Sequence, residues 1–333
     1  MEIKHGKKLD SYKIKKDLNK IDSIEKSKKA STSILAGHDI KNCPICFEED
    51  KKLLGTIYNF TYYECLNCGV AYVLNQPIDT EIEKIYNSDF YTGMNKILLA
   101  NDNIIDFRVK NIAEPKFNYI KKNITNDKNS WLDIGCGVGE VIYVASNNGF
   151  KTFGIETNEN EREYGINKFG LSITNEYINE KTIDKYLKNY GIISLFSVLE
   201  HIKNPHSIIK NISSIQEKND NLIIEVPHFP SISAYSQLTF PDHVNRMMHP
   251  PLHLFLFSLK AIEMLLKSYS YEISNVWFFG QDFYEFFSTV SIFANMNESI
   301  LYEKLHPLFD DFQEVIDKKE LSDEMLIIAR KIK

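Results

Sequence analysis

The chain has 333 residues, of which 43% are hydrophobic and 25% are charged, a composition typical of a globular protein rather than a disordered or fibrous one. It contains no run of 18 apolar residues that would predict a transmembrane helix, and its start lacks the apolar core and cleavage site of a secretory signal. We therefore expect a cytoplasmic protein with two domains, or with one large domain and an accessory module.

Residues 1–38 form a lysine-rich leader. Residues 1–30 hold ten lysines and five acidic residues, and because the net charge of the chain is −6, the rest of the chain carries −11. Such an acidic body lacks the basic footprint of a dedicated nucleic-acid-binding protein. The leader could be an arm for RNA or for a membrane, but we favour a solvated or weakly helical tail.

Four of the five cysteines form two Cys-x-x-Cys pairs, Cys43 with Cys46 and Cys65 with Cys68, separated by eighteen residues. This spacing is typical of a zinc ribbon, in which four thiolates complete a tetrahedral shell and leave no position open for catalysis. We therefore predict a structural zinc module over residues 39–77. The alternative is two disulfides, which a cytoplasmic location disfavours. Between the pairs, "KLLGTIYNFTYYEC" predicts a β-hairpin whose aromatic side chains cover a module too small to have its own core.

Helical periodicity in residues 78–125 predicts a lead-in segment of helices joined by turns. From residue 130 apolar strands alternate with amphipathic helices, which predicts a doubly wound α/β domain over residues 126–333 with a mostly parallel sheet. The ligand of such a sheet lies at the carboxyl ends of its central strands. The predicted strands are SWLDIG, KTFGIE, LSIT, GIISLFSV, NLIIEV, YEISNVWFF and DEMLIIARKI.

The segment "WLDIGCGVGE" is a strand followed by a glycine turn that opens a helix. Its glycines are Gly135, Gly137 and Gly139, and Glu140 stands where a dinucleotide fingerprint has its third glycine. A phosphate-binding P-loop is excluded, because no Gly-Lys-Ser/Thr follows. An acid at this turn, with Asp133 at the end of the strand, favours a ligand that carries an amine and no phosphate. S-adenosylmethionine has this chemistry, and glycines let the backbone approach it closely.

The second strand ends in "FGIET", which places Glu156 21 residues after Gly135. A carboxylate at this position can accept hydrogen bonds from both ribose hydroxyls of a nucleoside. Alone it would be an ordinary surface glutamate; together with the glycine turn, its spacing predicts ribose binding.

On "WLDIGCGVGE", "GIE" and "SVLEHIKNPHSIIKNI", residues 86–333 resemble the class I S-adenosylmethionine-dependent methyltransferases. The resemblance implies a Rossmann-like sheet of seven strands with the last strand antiparallel, similar to "DEMLIIARK". A four-cysteine module joined to such a domain resembles the sugar C-methyltransferases, which act on nucleotide-linked deoxysugars. "IYNSDFY" resembles the aromatic segment that these enzymes carry before the core. Cys136 is interpreted as a small packing residue of the turn. The cofactor-binding residues implied by the resemblance are Asp133, Gly135, Cys136, Gly137, Gly139, Glu156, Thr157, Ser197, Tyr86 and Tyr91.

Two strand ends supply candidate catalytic residues. "LEHIKNP" offers Glu200 and His201, and in the resembled family this histidine often faces the substrate; the alternative is a histidine that caps the loop. "EVPHFP" offers Glu225 and His228, although Glu225 could instead make a structural contact within its strand. A base is needed only where the nucleophile must lose a proton.

A third candidate is the histidine-rich segment "PDHVNRMMHPPLHLFLFS", which holds His243, His249 and His253. The sugar C-methyltransferases have a His-Glu-His run before a similar Phe-Ser. Here His253 matches its second histidine, whereas Pro251 and Leu252 replace the first two residues. The resemblance implies that His253 lies over the pocket as a catalytic residue. A second metal site is an alternative, but no carboxylate or cysteine spacing in the segment supports it.

The leading hypothesis is therefore methyl transfer from S-adenosylmethionine to a small-molecule acceptor, a nucleotide-linked or surface-glycan sugar. RNA methylation is an alternative because some rRNA methyltransferases also carry a zinc module. A non-catalytic S-adenosylmethionine-binding interaction module is a further alternative. The sequence leaves open the methylated atom and the oligomeric state.

Overall fold

The structure is a computed structural model, and it describes residues 1–6, 20–86, 99, 101–124, 128–176, 182, 185, 190–243, 246–294 and 300–333. Within these residues no helix has the length and apolar character needed to cross a membrane.

Twelve strands are present in the described residues. In chain order they are β1 (Glu2–His5), β2 (Lys51–Ile57), β3 (Phe60–Cys65), β4 (Ala71–Val73), β5 (Ser130–Ile134), β6 (Lys151–Ile155), β7 (Ile173–Thr174), β8 (Ile192–Phe196), β9 (Asn221–Pro227), β10 (Phe255–Leu256), β11 (Tyr271–Phe279) and β12 (Glu324–Lys331).

Twelve α-helices accompany them, and a π-helical turn at Val109–Ala113 joins the third to the fourth. They are α1 (Lys20–Thr32), α2 (Asp79–Tyr86), α3 (Asp102–Arg108), α4 (Glu114–Asn123), α5 (Glu140–Asn147), α6 (Glu159–Phe169), α7 (Pro205–Ile215), α8 (Ile232–Thr239), α9 (Leu259–Lys267), α10 (Asp282–Phe293), α11 (Ile300–Leu305) and α12 (Phe309–Lys318).

The main sheet has the order β1-β11-β12-β9-β8-β5-β6-β7. Strands β5 to β9 run parallel, and β12 is antiparallel to both of its neighbours. Every residue of β9 is buried, as expected for a central strand covered by helices on both faces. The predicted seven-stranded doubly wound sheet is confirmed. The chain leaves β5 first toward β6 and later returns on its other side as β8, so the carboxyl ends of β5 and β8 form the switch point where a ligand binds.

The lysine-rich leader is more ordered than predicted. β1 pairs in parallel with the outer edge of β11 and adds an eighth strand. The Lys4 ammonium lies 3.5 Å from the centre of the Trp277 ring, and the Trp277 indole donates a hydrogen bond to the Gly6 carbonyl. In α1, Ile24 and Ser31 are buried. The solvated alternative is therefore wrong for these segments, because an unpaired edge of β11 and an apolar surface are available to bind them. Helix α1 agrees with the helical alternative.

The cysteine-bearing segment forms its own sheet, with the order β10-β4-β3-β2. The predicted hairpin is present as β2 and β3. Its aromatic residues Phe60 and Tyr62 pack in one cluster with Phe229 and Met248 of the main domain. The fourth strand, β10, comes from the main domain and pairs with β4. The segment thus completes both its sheet and its core with residues of the main domain.

Candidate active site

The glycine turn after β5 is held against the end of β6. The amides of Gly135 and Cys136 both donate to the Ile155 carbonyl, at 2.7 and 3.0 Å. Gly135 has φ +70°, and a Cβ at this position would lie 2.6 Å from a methyl group of Val198. Gly137 has φ +56°, but a Cβ there would meet nothing within 4 Å. Gly135 is therefore required by packing, whereas Gly137 leaves open space at the turn.

Glu156 follows β6 and lies beside this turn, as its spacing predicted. Its two carboxylate oxygens accept hydrogen bonds from the Gly137 amide at 2.9 Å and from the Asn158 amide at 2.7 Å. Each oxygen keeps a further lone pair, so the carboxylate can still accept hydroxyl donors from a ligand. These two bonds fix its orientation in advance.

A cavity of about 220 Å³ opens at the carboxyl ends of β5, β8 and β9. Its lining includes four acidic side chains and two basic side chains, so the ionised lining carries excess negative charge. Such a lining favours a cationic ligand over a pyrophosphate. The charged residues of the lining are Asp133, Glu140, Glu161, Glu225, Arg108 and Lys116.

Glu140 forms a two-pronged ion pair with Arg108 at the end of α3, through both carboxylate oxygens. Its charge is therefore compensated within the protein by Arg108. This pair could not be predicted from the sequence, because its partners are 32 residues apart.

Asp133 is buried at the end of β5 and lines the cavity. The Trp131 indole donates to the Ser194 hydroxyl at 2.8 Å, and this hydroxyl donates to Asp133 at 2.6 Å. Burial raises the pKa of Asp133 to about 7, although the Ser194 hydrogen bond opposes the shift. In the same lining, burial and the neighbouring Glu156 raise the pKa of Glu161 to about 7.

Glu225, a predicted catalytic residue, is buried within β9 and also lines the cavity. The Lys116 ammonium of α4 donates to one of its oxygens at 2.6 Å, and the other oxygen has no hydrogen-bond partner among the described residues. Burial raises the pKa of Glu225, and Lys116 opposes that shift. Sequence reasoning missed Lys116, which lies in the lead-in segment outside any motif.

The other predicted cofactor-binding residues lie around this cavity or outside the described part. Cys136 and Ser197 line it, and Ser197 has φ +53°, a conformation rare for residues other than glycine. Thr157 is exposed and accepts a hydrogen bond from Arg162 at its carbonyl. Of the two predicted tyrosines, Tyr86 ends α2 and Tyr91 lies outside the described residues.

His201 and His253 come together above β8, although they are 52 positions apart in the chain. Their ring centres are 4.9 Å apart. The Leu254 amide donates to the Glu200 carbonyl at 2.9 Å, which ties the two chain segments together. Burial lowers the pKa of both histidines, so both rings are neutral near pH 7.

Glu200 lies beside this histidine pair with its side chain fully buried. One carboxylate oxygen lies 3.8 Å from Nε2 of His201. Burial raises the pKa of Glu200 well above its usual range. Glu200, His201 and His253 are hereafter called the acceptor-side cluster.

His228, another predicted catalytic residue, does not join this cluster and does not line the cavity. Its Nδ1 donates to the Ser322 carbonyl at 2.9 Å, and its ring packs against Phe278. Burial lowers its pKa to about 4. These contacts are those of a structural histidine. His249 is likewise buried, with Nε2 2.5 Å from the Ser27 hydroxyl of α1.

The four cysteines of the two Cys-x-x-Cys pairs meet as predicted. Their sulfur atoms all lie within 4.8 Å of one another, and no disulfide joins them. Cys43 Sγ lies 3.6 Å from Cys68 Sγ, and Cys46 Sγ lies 3.4 Å from Cys65 Sγ. A hydrogen bond from Cys68 is the main reason why the pKa of Cys43 falls to about 5.

The family model described as "Methyltransferase domain" matches residues 108–276. No curated protein sequence matches the chain significantly.

Solved structures show similarity at low sequence identity. A SAM-dependent methyltransferase from Archaeoglobus fulgidus is 17% identical, with 73% of this chain and 100% of that chain covered and a TM-score of 0.46. Phosphoethanolamine N-methyltransferase 2 from Haemonchus contortus is 15% identical, with 78% and 63% covered and a TM-score of 0.46.

The family match spans half of the chain and includes the glycine turn, Glu156 and most of the residues that line the cavity. The chain therefore belongs to the methyltransferase-domain family and is an S-adenosylmethionine-dependent methyltransferase.

Proposed function

We propose that this enzyme methylates a small-molecule acceptor, namely a nucleotide-linked or surface-glycan sugar. The observation that carries the proposal is the junction between the cysteine module and the acceptor-side cluster. The Tyr62 hydroxyl of β3 donates to the His253 carbonyl at 2.8 Å, and the amide of Val73 in β4 donates to the Leu254 carbonyl at 2.9 Å. The module therefore packs directly against the segment that carries His253, and we take this arrangement to favour a small acceptor over a nucleic acid.

We assign the cofactor to the cavity beside the glycine turn. The residues fit this ligand, because Gly137 leaves space for it and one oxygen of the buried Glu225 lacks a partner. Glu156 would accept the ribose hydroxyls, while Lys116 and Glu225 would bind the carboxylate and ammonium of the amino-acid end. When bound, the cofactor supplies a methyl group on a positively charged sulfur. The protein's part is to align the acceptor with that methyl group and to exclude water.

On the acceptor side, we assign His201 and His253 as the groups that meet the substrate. His201 has 26% of its side chain exposed, whereas His228 is 4% exposed and bonded to Ser322. We therefore keep His228 as a structural residue and place Glu225 with the cofactor rather than the acceptor.

The four cysteines are proposed to hold a structural Zn²⁺ ion. In a tetrahedral site with Zn–S bonds of about 2.3 Å, neighbouring sulfurs lie about 3.8 Å apart. The two closest sulfur pairs, at 3.6 and 3.4 Å, are near this spacing. Because all four positions are taken by thiolates, this ion would have no catalytic role.

A screen of nucleotide sugars with methyl-labelled S-adenosylmethionine tests the acceptor assignment. We expect label in one sugar nucleotide, at a position that NMR of the product identifies, and no label when Gly137→Ala replaces the wild type. Incorporation into total RNA, with none into any sugar nucleotide, would overturn the proposal.

A further inference from the structure

The acceptor-side cluster contains a buried carboxyl group that the described residues leave without a hydrogen-bond partner. Glu200 is 0% exposed, and neither of its carboxylate oxygens has a hydrogen-bond partner among the described residues. It lies in the 3-10 turn Leu199–His201 directly after β8. A buried carboxyl group with neither a hydrogen-bond partner nor a nearby cation is unfavourable, so a cation bound at this position would stabilise it.

The two histidines of the cluster are oriented as metal ligands are. Nδ1 of His201 donates to the Leu252 carbonyl at 2.8 Å, and Nδ1 of His253 donates to the Met247 carbonyl at 2.8 Å. A proton on Nδ1 leaves the Nε2 lone pair available in each neutral ring. Metal-binding histidines almost always make such a bond through the other nitrogen, because it fixes the tautomer and the ring orientation.

The ligand atoms of the three side chains converge. All of them lie within 4.8 Å of one another, and Nε2 of His201 is 3.8 Å from Glu200. Two ligands at about 2.1 Å from a tetrahedral ion are about 3.4 Å apart, so the separation between His201 and Glu200 is within about half an ångström of what a shared ion requires. We propose that Glu200, His201 and His253 bind a divalent transition-metal ion, distinct from the ion at the four cysteines.

Two imidazoles and one carboxylate suit zinc and other first-row divalent metals, and three protein ligands leave a coordination position open. Because the side chain of His201 is partly exposed, a substrate could reach the open coordination position. Ser197, which lines the cofactor cavity, is four residues before His201. If the proposed function holds, an acceptor oxygen bound at the open position would lose its proton more readily. The metal site itself does not depend on which acceptor is used.

Metal analysis of the full chain tests the proposal. The protein is stripped with a chelator, reloaded with excess Zn²⁺ or Co²⁺, desalted and assayed for bound metal. We expect two ions per wild-type chain and one ion per chain in Glu200→Gln, His201→Asn and His253→Asn. The matched control His243→Asn, a nearby histidine outside the cluster, should keep two. Loss of Co²⁺ in the cluster variants should reduce the visible absorption. The near-ultraviolet sulfur-to-cobalt bands, which arise from the cysteine site, should stay unchanged.

One ion per wild-type chain, removed only by changes at the four cysteines, would overturn the proposal, as would cluster variants that all keep two ions. The wild-type count decides the question even if Glu200→Gln fails to fold. Two ions per chain without methylation of any sugar would contradict the proposed acceptor and still support the metal site. Full methylation of a sugar by a chain that binds only one ion would support the proposed acceptor and overturn the second metal site.

Discussion

The cofactor cavity and the acceptor-side cluster lie at the same edge of the sheet, but the chain assembles them differently. The cavity is built mainly from residues close in the chain. Gly135, Gly137 and Glu156 belong to two neighbouring strands and the turns that follow them. The cluster joins the end of β8 to a segment 51 residues later, which β3 and β4 of the cysteine module support from outside. A local site tolerates damage elsewhere in the fold, whereas an assembled site depends on all of its supports.

The largest effect should come from the cysteine module. Cys65→Ser removes one proposed zinc ligand from a module whose cysteines pack in the main hydrophobic cluster, so we expect loss of about 5 kcal/mol or more of stability. Calorimetric unfolding and zinc content measure this. Cys136→Ser is the matched control, since it changes a buried cysteine outside the module and should keep the zinc. Equal melting temperatures for Cys65→Ser and the wild type would contradict a structural ion.

The glycine turn offers a sharper test of the cavity. Gly137→Ala and Gly149→Ala both place a methyl group at a positive φ with nothing within 4 Å, so their backbone strain, about 1–2 kcal/mol, should be similar. Only the Gly137 methyl group should obstruct the cofactor. We expect calorimetry to show binding of S-adenosylmethionine weakened by at least about tenfold in Gly137→Ala, or about 1.4 kcal/mol, and unchanged in Gly149→Ala. Equal affinities would remove the turn from the site.

Glu156→Gln should weaken cofactor binding by about 10- to 100-fold, because a charged acceptor of the ribose hydroxyls becomes neutral. Glu159→Gln changes an exposed glutamate three residues later and is the control. A 2′-deoxy analogue of the cofactor should reduce the difference between wild type and Glu156→Gln. If the full difference persists with the 2′-deoxy analogue, Glu156 stabilises the glycine turn and does not bind the ribose.

The pH dependence of cofactor binding should report on the acidic lining. The pKa values of Asp133 and Glu161 are raised to about 7, so both carboxyls are largely protonated at pH 6 and ionised at pH 8. A cationic ligand favours the ionised forms, so the affinity for S-adenosylmethionine should rise across this window. S-adenosylhomocysteine shares the amino-acid end but lacks the sulfonium, and the ratio of the two affinities isolates the effect of that charge. In Asp133→Asn this ratio should depend less on pH. A ratio that is independent of pH in the wild type would contradict the assignment of the cofactor to this acidic cavity.

The smallest effect on turnover should come from His228. Replacing it with alanine leaves the Ser322 carbonyl without its donor, at a cost of about 1–3 kcal/mol in stability. We expect kcat to stay within about twofold of the wild type, whereas His253→Ala should lose most activity. A large fall in kcat for His228→Ala, with stability preserved, would return this residue to the catalytic set.

The sequence was sufficient for the sheet, the turn and the four cysteines, because each depends on spacing within a short segment. It could not reveal the Lys116–Glu225 ion pair, whose partners are 109 residues apart, or the bond between Arg108 and Glu140. Glu200 lies far from the histidine-rich segment in the chain, so ligand spacing within that segment did not support a second metal site. The edge strand β1 was missed because polar lysines mask a four-residue pairing pattern.

The two-residue strand β10 has a consequence for how the polypeptide can be divided. It gives the module its fourth strand, and its neighbour Ser258 donates a hydrogen bond to the Cys68 carbonyl. A truncated protein starting at residue 78 would leave Phe255 and Leu256, both 0% exposed in the intact chain, facing solvent. The module and the catalytic body should consequently melt in one cooperative transition, and expressing either part alone should yield aggregated material.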